Sequence, residues 1–447
     1  MSSKIRHIIK RTGNRSEFDI ARIQVAIYKA AAAIGGKDRA KADRLAELVV
    51  KELEASGLTE PSVEDVQDTV ERVLIHEGHA ATAKSYILYR FERHRMRGGE
   101  LGTRHGGRQE TIPWKLLWRT LVWNQDHDCD TLEGLNRWVQ GSRLVELMRE
   151  ADEEYERQLD ATADAVLNRG GVRLLVIAGP SSSGKTTTTM KLAERLAIRG
   201  CRLVTMNLDN YFRHLELHPR DGFGDYDYET PEAMDLPLIN RHLEQLFAGQ
   251  AVMMPRYDFV EGRQHLNQTA LEMGRDDVLL LDTLHGLYPP LTQAIPRDQK
   301  FFVYIETFAQ VRPVGGAFMK WTDLRLMRRM VRDAAFRGHS PGATLGHWHY
   351  VRRGEMKHII PHLSSVDFII NGAIPYELPF LKRHIMPYLS GIVDSYRLDG
   401  RRHDAVVRGE RLVELLSRVD SASPDQEREV GARALLREFV GGSQLKY

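Results

Sequence analysis

Val172-Arg-Leu-Leu-Val-Ile-Ala-Gly-Pro-Ser-Ser-Ser-Gly-Lys-Thr186 decides the reading of this chain. Its residues 174–178 are a short apolar run containing Val and Ile, the pattern of a strand buried in a parallel sheet. Gly179 opens the spacing G-x-x-x-x-G-K-T, which closes on Gly184, Lys185 and Thr186. Residues 187–198 are helix formers, with Leu192, Ala193, Leu196 and Ala197 along one side. Strand, glycine-bounded loop and helix in this order make a cradle for phosphate. Backbone N–H groups and the positive helix end hold the anion, Lys185 reaches the outer phosphates, and the Thr186 hydroxyl ligates Mg2+.

The chain has 447 residues, more than one hydrophobic core usually organises, so two or more domains are expected. Its 63 basic and 61 acidic residues leave a net charge of +2, which implies no polyelectrolyte partner such as nucleic acid. Cys129 and Cys201 are the only cysteines and lack metal-ligand spacing, which fits a reducing compartment without a disulfide framework. The first residues lack an apolar signal region, and no apolar run reaches the roughly 18 residues that a membrane span needs. The sequence reads as that of a cytoplasmic protein with no membrane partner.

Ahead of the phosphate loop, residues 4–97 read as a small α-rich unit. Residues 4–10 alternate basic and β-branched side chains, and a turn follows at 11–14. Helices are expected over 21–34 and 39–55, then from Ser62, capped with Asp65, to residue 75, and over 80–96. The last of these ends in a basic run with Arg90, Arg93, Arg95 and Arg97. This segment resembles the ATP-cone, a regulatory nucleotide-binding module. The matching pieces are Ile9-Lys10-Arg11-Thr12-Gly13-Asn14 with Phe18-Asp19 and Ile23, Val63-Glu-Asp-Val-Gln-Asp68 with Val70-Glu71, and Tyr86-Ile-Leu-Tyr-Arg90. The resemblance implies that Lys10 and Arg11 bind the phosphates of ATP or dATP as an effector. A basic bundle serving only for packing is the alternative. Residues 98–109, rich in glycine, form a linker. Residues 113–170 read as a helical connector on the following domain, its Trp114, Leu117, Trp118, Leu121, Val122 and Trp123 spaced as a core face.

From residue 171 strands and helices alternate, as in a doubly wound sheet. Strands are expected at 174–178, 203–208, 278–281, 301–305 and 368–370, with helices near 187–199, 236–248, 323–336 and 356–362. The second strand runs into Asn207-Leu208-Asp209-Asn210-Tyr211-Phe212, and the third ends at Asp282. An acid at the carboxyl end of a strand beside the phosphate loop faces the ligand crevice. Asp209 there can take the proton of an attacking hydroxyl, or it can simply cap the following turn. Asp282 can hold Mg2+. Arg325, Arg328, Arg329 and Arg332 fall three or four apart on one helix side, with Arg337 beyond. Like charges so close repel unless an anion neutralises them, and a triphosphate would do so.

Together these pieces resemble the uridine kinase and phosphoribulokinase group over residues 172–385. The match runs through the phosphate loop, Asp209-Asn-Tyr-Phe, Asp227-Tyr-Glu-Thr-Pro-Glu-Ala-Met-Asp235, Pro255-Arg-Tyr-Asp-Phe259, Asp282 and the arginine spacing. The implied fold class is α/β, a doubly wound parallel sheet of the P-loop NTPase type with a small α-rich ATP-cone in front. The implied domains are 1–97, 98–170 (connector), 171–390 (kinase) and a C-terminal extension at 391–447. ATP and Mg2+ are the implied cofactors, a nucleoside or related polyol the acceptor, and a homo-oligomer the assembly. The resemblance assigns Asp209 as base, with Lys185, Arg329 and Arg332 also catalytic. Gly179, Ser181, Ser182, Ser183, Gly184, Lys185, Thr186, Thr187, Arg328 and Arg337 would hold nucleotide, and Thr186 and Asp282 the metal. Tyr211, Glu229, Tyr257 and Arg325 would lie at the acceptor.

Two departures from the group's pattern concern the acceptor. Glu229 stands where an Asp is usual, and Glu261-Gly-Arg-Gln264 replaces a segment whose His helps hold the pyrimidine. Within the group the chain is similar to bacterial homologues with an extra N-terminal domain, through Thr344-Leu345, Trp348, Val351-Arg-Arg-Gly-Glu355 and the tail Leu436-Arg-Glu-Phe-Val-Gly-Gly-Ser443. That glycine-rich tail could fold over the site or serve a subunit contact. A non-catalytic, ATP-responsive binding protein is the rival reading, but a sensor needs no base.

Overall fold

The computed structural model describes residues 5–9, 15–32, 36, 38–57, 59–79, 82, 86, 113–220, 226, 229–398 and 402–445, without the side chains of Glu64 and Ile75. Its contacts divide the chain into two units. The first comprises residues within 1–108 together with 114–122 and 315–318; the remainder of the chain forms the second.

In the first unit, β1 (His7–Ile9) and β2 (Arg15–Glu17) pair antiparallel. Among the described residues three helices follow: α1 (Ile20–Ala32), α2 (Arg39–Ala55) and α3 (Val63–His76). Ile23 and Ile27 of α1, Leu45, Val49 and Leu53 of α2 and Val70, Val73 and Leu74 of α3 recur at helical spacing and meet in one core. The Ser62 hydroxyl accepts from Asp65 N at 3.1 Å while the Asp65 carboxylate accepts from Ser62 N at 2.8 Å, which fixes the start of α3. The expected helix over 80–96 lies outside the described residues. Trp114 and Trp118 of α4 (Trp114–Asp126), part of the stretch read as a connector, pack against this first core.

The second unit is built on five parallel strands: β3 (Leu174–Ala178), β4 (Leu203–Asn207), β7 (Val278–Thr283), β8 (Lys300–Glu306) and β9 (Phe368–Asn371). Their spatial order is β4-β7-β3-β8-β9. β4, which leads into Asp209, is therefore not the neighbour of the phosphate-loop strand; β7 lies between them. A short antiparallel hairpin, β5 (Val252–Asp258) with β6 (Arg263–Leu271), stands apart from the sheet.

Helices cover the sheet. α5 (Leu132–Gln140) and the long α6 (Leu144–Arg169) precede it. α7 (Lys185–Ile198), α8 (Leu236–Phe247), α9 (Trp321–Phe336) and α10 (Pro341–His358) intervene. α11 (Glu377–Arg397), α12 (His403–Ser417), α13 (Pro424–Arg428) and α14 (Arg437–Val440) close the chain. The expected helix at 356–362 is in fact the end of α10, which begins at Pro341, followed by a 3-10 turn at Ile360–Ser365. Among the described residues no helix is long and apolar enough to cross a membrane.

α6 locks onto the helix that follows the phosphate loop, since the Tyr155 hydroxyl and Thr188 Oγ1 share a hydrogen bond of 2.7 Å. One turn earlier, the Tyr376 hydroxyl donates to Asp152 at 2.7 Å. Burial outweighs that hydrogen bond and the nearby Lys191 charge, and pushes the Asp152 carboxyl up to about 6. A carboxyl raised in the folded state favours folding while protonated and loses that contribution as pH rises through about 6. Asp152→Asn should accordingly stabilise the protein by roughly 1–3 kcal/mol at pH 8 and leave it nearly unchanged at pH 4. Denaturant midpoints at the two pH values check this, and an equal shift at both would contradict it.

Candidate active site

The phosphate loop leaves the carboxyl end of β3 and enters α7 through two residues in left-handed backbone, Ser182 at φ 61° and Gly184 at φ 94°. Alternation of this kind turns successive N–H groups toward one concavity, the geometry of an anion nest. Gly179 is required by close approach: a Cβ there would lie 2.6 Å from the Ile305 carbonyl oxygen and 2.7 Å from its Cγ2. The Ser182 and Ser183 hydroxyls are buried with no hydrogen-bond partner among the described residues. A phosphate chain fits this loop, because it brings acceptors to donors that the protein leaves unused.

Ile177, Asp282 and Asn207 lie in register across β3, β7 and β4, so the carboxyl ends of three strands open on one crevice. Asn207 Oδ1 accepts from Asp209 N at 2.9 Å. Asn207, and not Asp209, thus caps the turn at Leu208–Tyr211. The Asp209 carboxyl opens to solvent on one side and is crowded by protein on the others. Burial raises its pKa, Asp282 adds to the rise, and Lys185 and Arg337 oppose it. Asp282 itself forms an ion pair with Lys185. Two neighbouring carboxylates and the Thr186 hydroxyl position at the start of α7 suit a divalent cation, which would relieve the repulsion between Asp209 and Asp282 once Lys185 turns to phosphate.

The arginines of α9 divide into two sets. Arg325 and Arg328 are fully buried. Arg325 forms an ion pair with Glu306 at 2.8 Å, and it donates to both Glu355 oxygens at 2.5 and 2.9 Å and to the Ser181 carbonyl at 3.2 Å. Arg328 donates to both oxygens of Glu377 at 2.5 and 2.9 Å, to Gly372 O at 2.6 Å and to the carbonyls of Ser182 and Ser183. Arg328, expected at the nucleotide, and Arg325, expected at the acceptor, are both paired with protein carboxylates in this structure. Protein carboxylates neutralise both, and both grip the outer side of the phosphate loop. Burial alone would lower the Arg325 pKa, but Glu306 and Glu355 reverse the effect and raise it.

Arg329, Arg332 and Arg337 instead fan around the single buried carboxylate of Asp333, at 3.2, 3.1 and 3.8 Å. Arg329 also donates to Ser181 Oγ at 3.2 Å and lies 3.5 Å from Glu229. Three guanidinium groups share one aspartate, with Glu229 beside Arg329, so a phosphate here would exchange with protein carboxylate.

Glu229 lies beside Arg329, and Tyr257 is buried on the β5–β6 hairpin. Tyr257 belongs to an aromatic group with Phe212, Phe259 and His218, its centroid 5.6, 4.9 and 6.3 Å from theirs. Tyr211, expected at the acceptor, is fully buried, and its hydroxyl shares a 2.8 Å hydrogen bond with His242 Nδ1 of α8. Gln264 of the substituted segment lies opposite Tyr257 across the hairpin, and its N–H donates to His214 Nδ1 at 3.2 Å. Lys10, Arg11 and Asp227 fall outside the described residues.

Comparison with known proteins agrees with this geometry. Residues 174–375 match the phosphoribulokinase / uridine kinase family, and residues 6–95 match the ATP cone domain. A uridine kinase from Deinococcus deserti is 29% identical over 204 residues, covering 45% of this chain and 89% of the relative. Uridine-cytidine kinase B of Dictyostelium discoideum is 27% identical over 198 residues, covering 44% of this chain and 73% of the relative. A solved structure from Silicibacter sp. TM1040, described as a candidate fructose transport system kinase, has a TM-score of 0.32 at 19% identity and covers 47% of this chain and 98% of its own. The two family matches fall on the two units described above and support a kinase with an ATP cone domain ahead of it.

Sequence reasoning missed the partners that hold the arginines. Glu306, Glu377 and Asp333 show only as an acid ending a strand, an acid opening a helix and an acid next to Arg332. His218, stacked on Tyr257, carried no sequence signal. Removing one member of a buried pair leaves the other charged and unpaired, at a cost of about 3–5 kcal/mol. Arg328→Met should therefore lower stability by about that amount, and pairing it with Glu377→Met should restore most of it. Arg337→Met, at an exposed position, should cost less than about 0.5 kcal/mol. Urea unfolding of the full chain measures all three; equal effects of Arg328→Met and Arg337→Met would contradict the division into two sets.

Proposed function

We propose that this kinase uses ATP with Mg2+ to phosphorylate a hydroxyl of a nucleoside or related polyol, and that its N-terminal unit senses ATP or dATP. The observation that carries the reading is the convergence of Asp209, Asp282 and Lys185 on the crevice at the phosphate loop. Bound ATP and its cation would supply the phosphoryl donor and the divalent charge at Thr186 and Asp282. Asp209 accepts the proton of the acceptor hydroxyl as the oxygen attacks. Lys185, held by Asp282 in this structure, turns to phosphate oxygens, while Arg329, Arg332 and Arg337 offset charge on the transferring group. Glu229 and the face of Tyr257 bound the acceptor.

The base assignment is tested directly. Asp209→Asn should keep ATP binding and lose roughly 10²–10⁴-fold in turnover, the usual worth of a general base. Because its pKa is raised, the acid limb of kcat/KM should lie above the ordinary aspartate value near 4, and Arg337→Met should move it higher by removing a lowering charge. A pH profile indifferent to Arg337, together with near-normal turnover of Asp209→Asn, would remove Asp209 from the role. Glu261-Gly-Arg-Gln264 lacks the histidine of the pyrimidine-holding segment. Uridine should consequently be one acceptor among several; a preference of about 10³-fold or more, the scale of built-in hydrogen-bond selection, would contradict that.

The sensing role rests on the ATP cone match over residues 6–95, since the second unit carries a phosphate site of its own. Calorimetry on Lys185→Ala, in which the kinase site is crippled, should still show binding of ATP or dATP, with a change of mass in light scattering. Neither signal appearing would reduce the first unit to a structural domain.

A further inference from the structure

The C-terminal segment enters the phosphate site. Leu435, Leu436 and Phe439 are fully buried in the second unit. Arg437 anchors the segment by donating to the carbonyls of Glu427 and Val430 at 2.8 and 2.7 Å. Leu435 lies directly on the phosphate loop: a Cβ at Gly184 would come within 2.6 Å of its Cδ1. Phe439 lies under the guanidinium of Arg328, 4.7 Å from its ring centroid. Between these anchors Glu438 is buried, and its Oε2 accepts the Thr187 N–H at 3.0 Å.

That amide belongs to the first turn of α7, immediately after the lysine and threonine of the phosphate motif. The first-turn N–H groups of a helix have no partner within it and point along the axis toward whatever anion sits there. Glu438 is also close enough to Arg332 to favour its charged form. A carboxylate with a helix-end amide and a guanidinium around it has the donors that a phosphate oxygen takes. Two anions cannot share one N–H at hydrogen-bond distance without strong repulsion.

We propose that Glu438 is an intramolecular competitor of the nucleotide, holding on Thr187 N–H the place of a phosphate oxygen. The inference rests on the kinase reading above. A nucleotide seats fully only when this carboxylate swings away, while Leu435 and Phe439 keep the segment docked. The side chain thereby weakens the affinity of the site for every phosphorylated ligand and leaves unphosphorylated nucleosides untouched.

Calorimetry of ATP, ADP, inorganic triphosphate and adenosine on the full chain tests this, using wild type, Glu438→Gln, which keeps the shape, and Glu438→Ala as a second variant. Thermal melting of each variant establishes that it is folded. The expected result is binding of the three phosphate-bearing ligands tighter by about 3- to 30-fold in both variants, the range of a single charge at a helix end. Adenosine should be unchanged. Equal or weaker binding of ATP and triphosphate in a folded variant overturns the competitor role and makes Glu438 a supporting residue of the site. Failure of wild type and both variants alike to bind any phosphate-bearing ligand overturns the kinase reading as well.

Discussion

The buried clamp between α9 and the phosphate loop is the constraint on which the rest of the structure depends. Arg325 and Arg328 pull on the carbonyls of Ser181, Ser182 and Ser183 from outside, so that the loop N–H groups face inward. Two buried guanidinium groups would be untenable without counter-charges, because taking an ion out of water costs several kcal/mol unless it is paired. Glu306 at the end of β8, Glu355 on α10 and Glu377 at the start of α11 provide them. The clamp therefore joins the carboxyl edge of the sheet to three helices. A single misplacement there would be felt at the loop.

With those two arginines neutralised by the protein, the site's charge falls to the ones that remain. Asp333 is one carboxylate for three guanidinium groups, and its neighbours Glu229 and Glu438 reach in from the acceptor side and from the tail. The crevice is thus close to neutral as it stands, and ligand phosphate exchanges for protein carboxylate instead of filling a bare positive hole. The same logic holds for Lys185, which rests on Asp282. Lys185, Arg329 and Arg332, each expected to meet phosphate, have a protein carboxylate beside them in this structure, which offsets the cost of crowding their charges.

The legible parts of the chain were those set by local sequence. β3 follows its expected limits, because a strand buried on both faces must be continuously apolar and the glycine after it is demanded by contact with Ile305. The pair Asp209 and Asp282 was visible because each ends an apolar run. The hairpin was not read, since Pro255 interrupts β5 and most of β6 is exposed and polar. α10 was mostly missed because Gly342, Gly346 and Gly354 argue against a helix. Gly354 is there for approach, as a Cβ would come within 2.6 Å of the Glu229 carbonyl. The partners of Arg325 and Arg328 were hidden for a related reason: helical spacing shows that four arginines crowd together, but the carboxylates that hold two of them inward come from distant positions in the chain.

The central claim is that the crevice transfers phosphate to an alcohol, and the most direct measurement is identification of the product. Purified full-length chain would be incubated with ATP, Mg2+ and a pool of nucleosides and polyols, and read by phosphorus NMR and mass spectrometry. The account predicts a new phosphomonoester on an acceptor hydroxyl, formed in equal amount with ADP. Inorganic phosphate as the only product alongside ADP, or intact ATP with every acceptor, would contradict it.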